Sequence, residues 1–266
     1  MAKGHVRATS PVTALARRVG PLRGVLARQV HTAWRHWRAR SVERALGNVD
    51  PNDWLSTSTA LVELAGRDRA GFHLLELALG DRRAAIRAAA IEALGSVGDR
   101  RAVPAIVAAL DDEDFLVRTV ATEELRRFGP AAVGGLSRAL RHPSPRVRAS
   151  VAELLGSLEC ADAVPPLIAA LDDEVDLVVA RAAEALGSLR AAAAVPPLRR
   201  LLRADDWSIR AAAATALGLI GDASSETALR ELLADSDWDV RQDAARALAR
   251  IHAHNASDLA SEPVVK

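Results

Sequence analysis

Apolar and polar positions along this chain repeat with two periods at once. The shorter period is helical. An apolar residue and an arginine are followed by apolar residues three and seven positions beyond the arginine, as in Val117-Arg118, Ala121 and Leu125. Steps of four place these positions on one helix face, which must be buried. The longer period is that of the segment itself. The arginine slot recurs at 87, 118, 148, 179, 210 and 241, in steps of 31, 30, 31, 31 and 31 residues, and is filled by Arg87, Arg118, Arg148, Val179, Arg210 and Arg241. Fourteen residues ahead of the slot stand Pro104, Pro165 and Pro196, each preceded by valine and followed by a second apolar helical pattern. A weaker copy, with Trp54 and Thr57 in the places of Trp207 and Arg210, carries the series back to about Ser41.

Each unit therefore reads as helix A, an acidic turn, helix B and a glycine-containing turn. Proline suits the start of helix A, where its missing N–H would have no helical partner. Acidic pieces such as Asp111-Asp112-Glu113-Asp114 and Asp205-Asp206 precede helix B, where carboxylates cap free N–H groups. Gly95, Gly129, Gly156, Gly187 and Gly218 follow near the end of helix B, where a left-handed residue is expected. A single helix pair cannot bury its own apolar stripe, so the units must stack. The expected fold is all-α, an α-solenoid of about seven two-helix repeats over residues 41–252, followed by a flexible tail over 253–266.

The run Val-Pro-x-Leu/Ile-x-x-x-Leu-Asp-Asp, followed by Val-Arg-x-x-Ala-Ala-x-Ala-Leu-Gly, resembles the HEAT repeat, and within it the HEAT-like subtype of phycobilisome lyases. The resemblance covers about four-fifths of the chain. It implies a right-handed superhelix whose concave face is built from helix B. It also implies a ladder of hydrogen bonds between turn aspartates and helix-B arginines of neighbouring repeats. Here that ladder would comprise Asp81, Asp112, Asp173 and Asp235 with Arg87, Arg118, Arg148, Arg210 and Arg241. The turn at His142-Pro143 lacks the aspartate and Val179 replaces the arginine, so an interruption is expected mid-stack.

Composition agrees with packed helices and narrows the chemistry. Half the residues are hydrophobic, but only 3% are aromatic and tyrosine is absent, which does not suit a sheet. A single cysteine, Cys160, excludes an internal disulfide and a multi-cysteine metal site. No apolar run approaches the roughly 20 residues of a membrane span, and no signal peptide is evident. These features point to a cytoplasmic protein, with peripheral membrane attachment as the alternative.

The formal charge of +1 conceals a division. Residues 1–40 hold nine of the 35 basic residues and no acid, leaving 26 basic and all 34 acidic residues beyond them, a net of −8. Within this basic arm, Leu22, Val25, Leu26, Val30, Ala33, Trp34 and Trp37 keep three- and four-residue spacing, with Arg23, Arg28, Arg35 and Arg38 mainly on the other side. An amphipathic helix is expected over 21–40, the stretch from Leu22 to Trp37 spanning about 24 Å at 1.5 Å per residue. Trp34, Trp37, Arg28, Arg35 and Arg38 would then either cap the first repeat or rest on an anionic membrane surface. Nucleic-acid binding, docking on the protein's own acidic face and a targeting segment are further alternatives.

On helix B the slot five residues beyond the anchor is acidic in four successive repeats: Glu92, Glu123, Glu153 and Glu184. This slot lies opposite the buried positions, so stacking would align like charges about 10 Å apart. A basic partner relieves such a column, which makes these glutamates the expected contacts for another protein. The alternative is a merely solvated face. Trp54, Phe115, Trp207 and Trp238 share the slot three residues before the anchor, where a structural role between repeats is expected.

Catalysis has less support. Deoxyhypusine hydroxylase, another HEAT-repeat enzyme, takes its iron ligands from His-Glu dipeptides, and this chain has none. Neither a phosphate-binding glycine loop nor a nucleophile with a neighbouring base is present. The acidic body is a poor surface for phosphates, so nucleic acid is not expected as a partner. No cofactor or metal is expected. The function expected is a non-enzymatic protein–protein interaction scaffold. The alternatives are a phycobilin or chromophore lyase-type subunit and an adaptor recruited to membranes through residues 21–40.

Overall fold

The computed structural model describes residues 69–261 together with 57, 59–61 and 63. The arm over 1–40, the helix expected at 21–40 and Trp54 lie outside the described residues, as do residues 262–266. The described residues contain twelve α-helices and no strand. Helices α1 (Arg69–Ala78), α3 (Val103–Ala108), α5 (Val133–Ala139), α7 (Val164–Ala170), α9 (Val195–Leu201) and α11 (Glu226–Glu231) are the short A helices. Helices α2 (Ala84–Val97), α4 (Phe115–Phe128), α6 (Pro145–Ser157), α8 (Asp176–Ser188), α10 (Trp207–Ile220) and α12 (Trp238–Ser261) are the longer B helices. The last of these runs on past residue 252, where the sequence pattern suggested a tail.

Local chemistry sets the helix starts. Val103-Pro104, Val164-Pro165 and Val195-Pro196 open α3, α7 and α9 after a single 3-10 turn. Asp114 accepts a hydrogen bond from Leu116 N (2.8 Å), and Asp206 accepts from Ser208 N (2.8 Å) and Ile209 N (3.3 Å), capping α4 and α10. Asp237 does the same for α12 through Asp239 N and Val240 N. The apolar stripes of both helices in each repeat merge into one continuous core, from Leu75 and Ile86 through Leu125, Leu155 and Leu186 to Leu217 and Ile251.

The B helices pack directly on one another, and glycine controls how closely. A Cβ built on Gly156 would lie 2.7 Å from Ala185 Cα, on Gly187 2.7 Å from Ala216 Cα, and on Gly218 2.5 Å from Ala247 Cα. Gly156, Gly187 and Gly218 are thus notches that receive the alanine of the next B helix. Together with Gly95 they lie within the helices, which corrects the expectation that these four supply left-handed ends. The left-handed residue comes three positions later. It is glycine in Gly98 (φ 68°) and Gly221 (φ 80°), but Glu159 and Arg190 also take it, both at φ 48°.

One junction breaks the pattern. α6, α8, α10 and α12 lie against one another along their lengths, whereas α4 and α6 barely touch. Arg126 occupies the notch position of α4, and Leu154 replaces the incoming alanine on α6. Across the same junction the A helices draw together, with Gly135 of α5 so close to α3 that a Cβ would sit 2.5 Å from Val103 Cγ1. The stack is splayed on its B side and closed on its A side at this one point, which places a bend there.

Two glycine replacements separate packing from helix propensity. Gly187→Ala is expected to destabilise by about 1–3 kcal/mol, because the added methyl meets backbone that cannot yield. Gly134→Ala, in a helix with nothing within 4 Å of the new methyl, is expected to be neutral or to stabilise by up to about 1 kcal/mol. Denaturant midpoints of the two variants check this; equal shifts in the same direction would contradict it.

Candidate functional site

Three arginines make the same set of bonds. Arg87 Nε donates to Asp112 Oδ2 (2.8 Å) and its Nη2 to Oδ1 (2.7 Å), while Nη1 donates to the carbonyls of Asp81 and Arg82. Arg148 repeats this with Asp173 (2.7 and 2.8 Å) and the carbonyls of His142 and Pro143. Arg210 does so with Asp235 (2.8 and 2.9 Å) and the carbonyls of Ala204 and Asp205. Each guanidinium ties its own A–B turn to the aspartate of the next, 25 residues on. The aspartates are oriented in turn by the N–H two residues later, from Asp114, Val175 and Asp237.

Other residues of the implied ladder are placed differently. Arg118 and Arg241 hold only their own turn carbonyls. The turn facing Arg118 presents His142, whose Nδ1 accepts from Ser144 N, and Pro143 instead of an aspartate. No further repeat follows Arg241 among the described residues. Asp81 binds Arg83 through its backbone N–H and its guanidinium, and Thr57 occupies the preceding arginine slot. At Val179 both partners are missing, since the matching turn position is Ala204.

Electrostatics reflect the pairing. Burial pushes the carboxyls of Asp112 and Asp173 up, but their arginines and turn N–H groups outweigh it and hold both below the ordinary aspartate range. Arg210 lowers Asp235 directly. A depressed folded-state value means that the stabilisation is complete above the unfolded value near 3.9 and is lost as pH falls through the folded one.

The four helix-B glutamates occupy one slot on successive helices. Glu123 and Glu153 are exposed, and Glu92 and Glu184 half-buried. Arginines interleave them: Arg126 donates to Glu123 (2.7 Å) and Arg181 to Glu184 (2.8 Å), with Arg181 also within the field of Glu153. The splayed α4–α6 junction divides the column between Glu123 and Glu153.

A fifth carboxylate on this face is not evident from the sequence pattern. Glu124 is buried, its Oε2 filling the space that a Cβ on Gly95 would need, and its Oε1 accepts from Arg127 (2.7 Å). Burial pushes its carboxyl above the ordinary glutamate value; Arg127 opposes this, and the charges of Glu92 and Glu123 add to it. The available signal was positional, since Glu124 takes the slot held by Ala185, Ala216 and Ala247 in other repeats.

The aromatic slot also differs from expectation. Phe115, Trp207 and Trp238 are 75%, 47% and 62% exposed. They fill no gap between repeats, because the slot lies one turn ahead of the buried face. Two hollows accompany the curvature. One of about 940 Å³ opens between α5 and α7, where A helices diverge while their B helices close, and carries Arg138 and Arg141 opposite Asp162 and Asp172. The other, about 370 Å³, lies at the far ends of α8, α10 and α12 beside Arg190, Arg250 and His254. Among the described residues no group of three His, Cys, Asp or Glu side chains is placed to hold a metal, and no helix is long and apolar enough to cross a membrane. Trp34, Trp37, Arg28, Arg35 and Arg38 lie outside the described residues.

Two-helix repeats stacked B on B and joined by arginine–aspartate rungs define an α-solenoid of the HEAT type. The HEAT repeats family matches residues 73–136, 134–217 and 199–262, and the chain belongs to it. No curated protein sequence matches it. Among solved structures, the complex of CpcE and CpcF of phycocyanin lyase from Nostoc sp. PCC7120 is similar at 25% identity and a TM-score of 0.52, over 56% of this chain and 99% of that one. Human deoxyhypusine hydroxylase in complex with glycerol aligns at 22% identity and a TM-score of 0.41, over 88% of this chain and 100% of that one. An engineered protein aligns at 22% and 0.47, over 80% and 67%.

Removing one partner of a buried rung strands the other. Asp173→Ala is expected to cost about 3 kcal/mol or more, while Arg118→Ala, which breaks carbonyl contacts and an exposed stacking contact with Phe115, costs about 1–2 kcal/mol; unfolding midpoints measure both. Glu124→Gln is expected to stabilise at neutral pH. The gain should fade as pH drops to the unfolded glutamate value near 4.3, where the native carboxyl is protonated as well. Melting at pH 7 and pH 4 checks the sign.

Proposed function

We propose that the chain is a non-enzymatic interaction scaffold that binds a protein carrying a basic segment along its helix-B face, through Glu92, Glu123, Glu153 and Glu184. The observation that carries this reading is the recurrence of a carboxylate at one outward slot of four successive B helices, two of them exposed. Rungs join α2 to α4 and α6 to α8, so a partner meets Glu92 with Glu123 and Glu153 with Glu184 as two preformed pairs, and little ordering is needed on binding. The interleaved Arg126 and Arg181 set the register, since a cationic side chain is accepted only beside a carboxylate.

A second reading has one supporting observation. The similar structure from Nostoc is a complex of two phycocyanin lyase chains, which supports a protein partner and keeps a chromophore lyase-type subunit as the alternative. Recruitment to an anionic membrane through residues 21–40 is the remaining alternative and would act alongside either.

The double variant Glu123→Lys/Glu153→Lys separates a binding face from a solvated one. Full-length wild type and variant are used to capture proteins from native lysate, with circular dichroism and melting run in parallel. The expected result is at least about a tenfold loss of the retained partner at unchanged helicity and melting temperature. Retention undiminished by the charge reversal would reduce the glutamate row to solvation. Visible bilin absorbance after co-expression with a bilin source would favour the lyase-type reading instead.

A further inference from the structure

The edge formed by the first turns of the last three B helices is apolar and acidic at once. Leu177 on α8 is 52% exposed, and Trp207 on α10 and Trp238 on α12 present their rings to solvent. Beside them stand the exposed carboxylates Asp176, Asp205 and Asp239. Large apolar side chains spread over three consecutive repeats form a patch rather than scattered exposure. The patch is also held still. Trp207 lies three residues before Arg210, and Trp238 three after Asp235, and those two residues form a rung. Gly187 and Gly218 set the spacing of the three helices at close contact.

The chemistry of the occupant is written into the same slot three repeats before Trp207. Phe115 occupies the position of Trp207 and Trp238, and the Arg118 guanidinium lies over its ring, 5.8 Å from the centroid. Among the described residues no guanidinium lies over Trp207 or Trp238. Indole faces beside carboxylates select a cation carried on an apolar support, and arginine stacks best. Arg203 at the rim is turned towards Glu231 (3.7 Å) and leaves the edge acidic.

We infer that this edge docks the basic segment 21–40 of a second copy of the chain. That segment has no acid, and its sequence sets Leu22, Val25, Leu26, Val30, Trp34 and Trp37 against Arg28, Arg35 and Arg38. Three close-packed helices span about 16–20 Å, and residues 22–37 as a helix span about 24 Å, enough to cross the edge. The segment precedes the first repeat, whereas the edge belongs to the last three. Within one chain it would have to return along the whole stack, about 40 Å from α2 to α10; a segment supplied by a second chain is free of that path.

The test uses the full chain, with sedimentation velocity over a range of concentrations, wild type against Trp207→Ala/Trp238→Ala and against Arg28→Glu/Arg35→Glu/Arg38→Glu. Because the tryptophans are exposed, melting should be unchanged; Asp205→Lys/Asp239→Lys provides a second edge variant that removes no ring. Wild type is expected to self-associate, and each variant alone to raise the dissociation constant at least about tenfold. An equimolar mixture of the tryptophan and arginine variants should recover a mixed dimer through the one intact edge and one intact segment. Glu123→Lys/Glu153→Lys should leave association unchanged, so failure of the edge is distinguishable from failure of the helix-B reading. A monomer at every concentration, association indifferent to the edge variants, or loss through the glutamate variant alone would overturn the inference. So would arginine variants that lose only flotation with phosphatidylserine vesicles while keeping wild-type mass.

Discussion

Two helices can approach only as closely as the smallest side chains between them allow, and in this chain that limit is set by one position on helix B. Where it is glycine and the facing residue is alanine, the backbones come together until even a methyl group would not fit, as at Gly187 and Ala216. The distance between successive A–B turns follows from that approach. At such a distance an arginine reaches the aspartate 25 residues further on with two hydrogen bonds while its third nitrogen keeps its own turn carbonyls. Backbone contact therefore comes before the ion pair. The rung reports that the repeats are correctly stacked as much as it holds them, in keeping with the modest net worth of buried ion pairs.

The comparison of two imperfect junctions supports this order. Between α8 and α10 the rung is absent, with Val179 and Ala204 replacing both partners, yet the helices remain in full contact because Gly187 meets Ala216. Between α4 and α6 the rung is absent as well, since Pro143 faces Arg118, but there Arg126 and Leu154 also fill the notch, and the helices separate. Losing the rung alone leaves the stack intact, and losing the notch as well opens it. The bend that results is local, and it falls where the A helices compensate through Gly135 and Val103.

This hierarchy explains what could be read along the chain. The 31-residue period, the buried face of helix B, the proline starts and the capping aspartates are consequences of spacing within one repeat, and spacing is visible in a sequence. The role of the glycines was not, because a glycine near the end of a helix fits a left-handed terminus as well as a packing notch. The true left-handed positions include Glu159 and Arg190, which carry no chemical mark of that conformation. Glu124 was hidden by Glu123: neighbours on a helix point about 100° apart, so one faces solvent and the other fills the notch against Gly95. The exposed aromatics were misplaced for a related reason. A slot shared by Phe115, Trp207 and Trp238 establishes a common environment, but whether that environment is interior depends on where the next repeat begins.

The same architecture decides which charges remain for recognition. Three rungs consume Arg87, Arg148 and Arg210 with Asp112, Asp173 and Asp235, so these groups are spent on structure although they are among the most regular in the sequence. The helix-B glutamates are partly neutralised by arginines three residues away on their own helices, in Arg126–Glu123 and Arg181–Glu184. Asp176, Asp205 and Asp239, by contrast, stand exposed beside apolar side chains that no part of the described fold covers. An acidic body preceded by an acid-free basic arm thus places negative charge where hydrophobic surface is also exposed. On the turn edge of the last three repeats the two driving forces for association act together, whereas on the helix-B face charge acts largely alone.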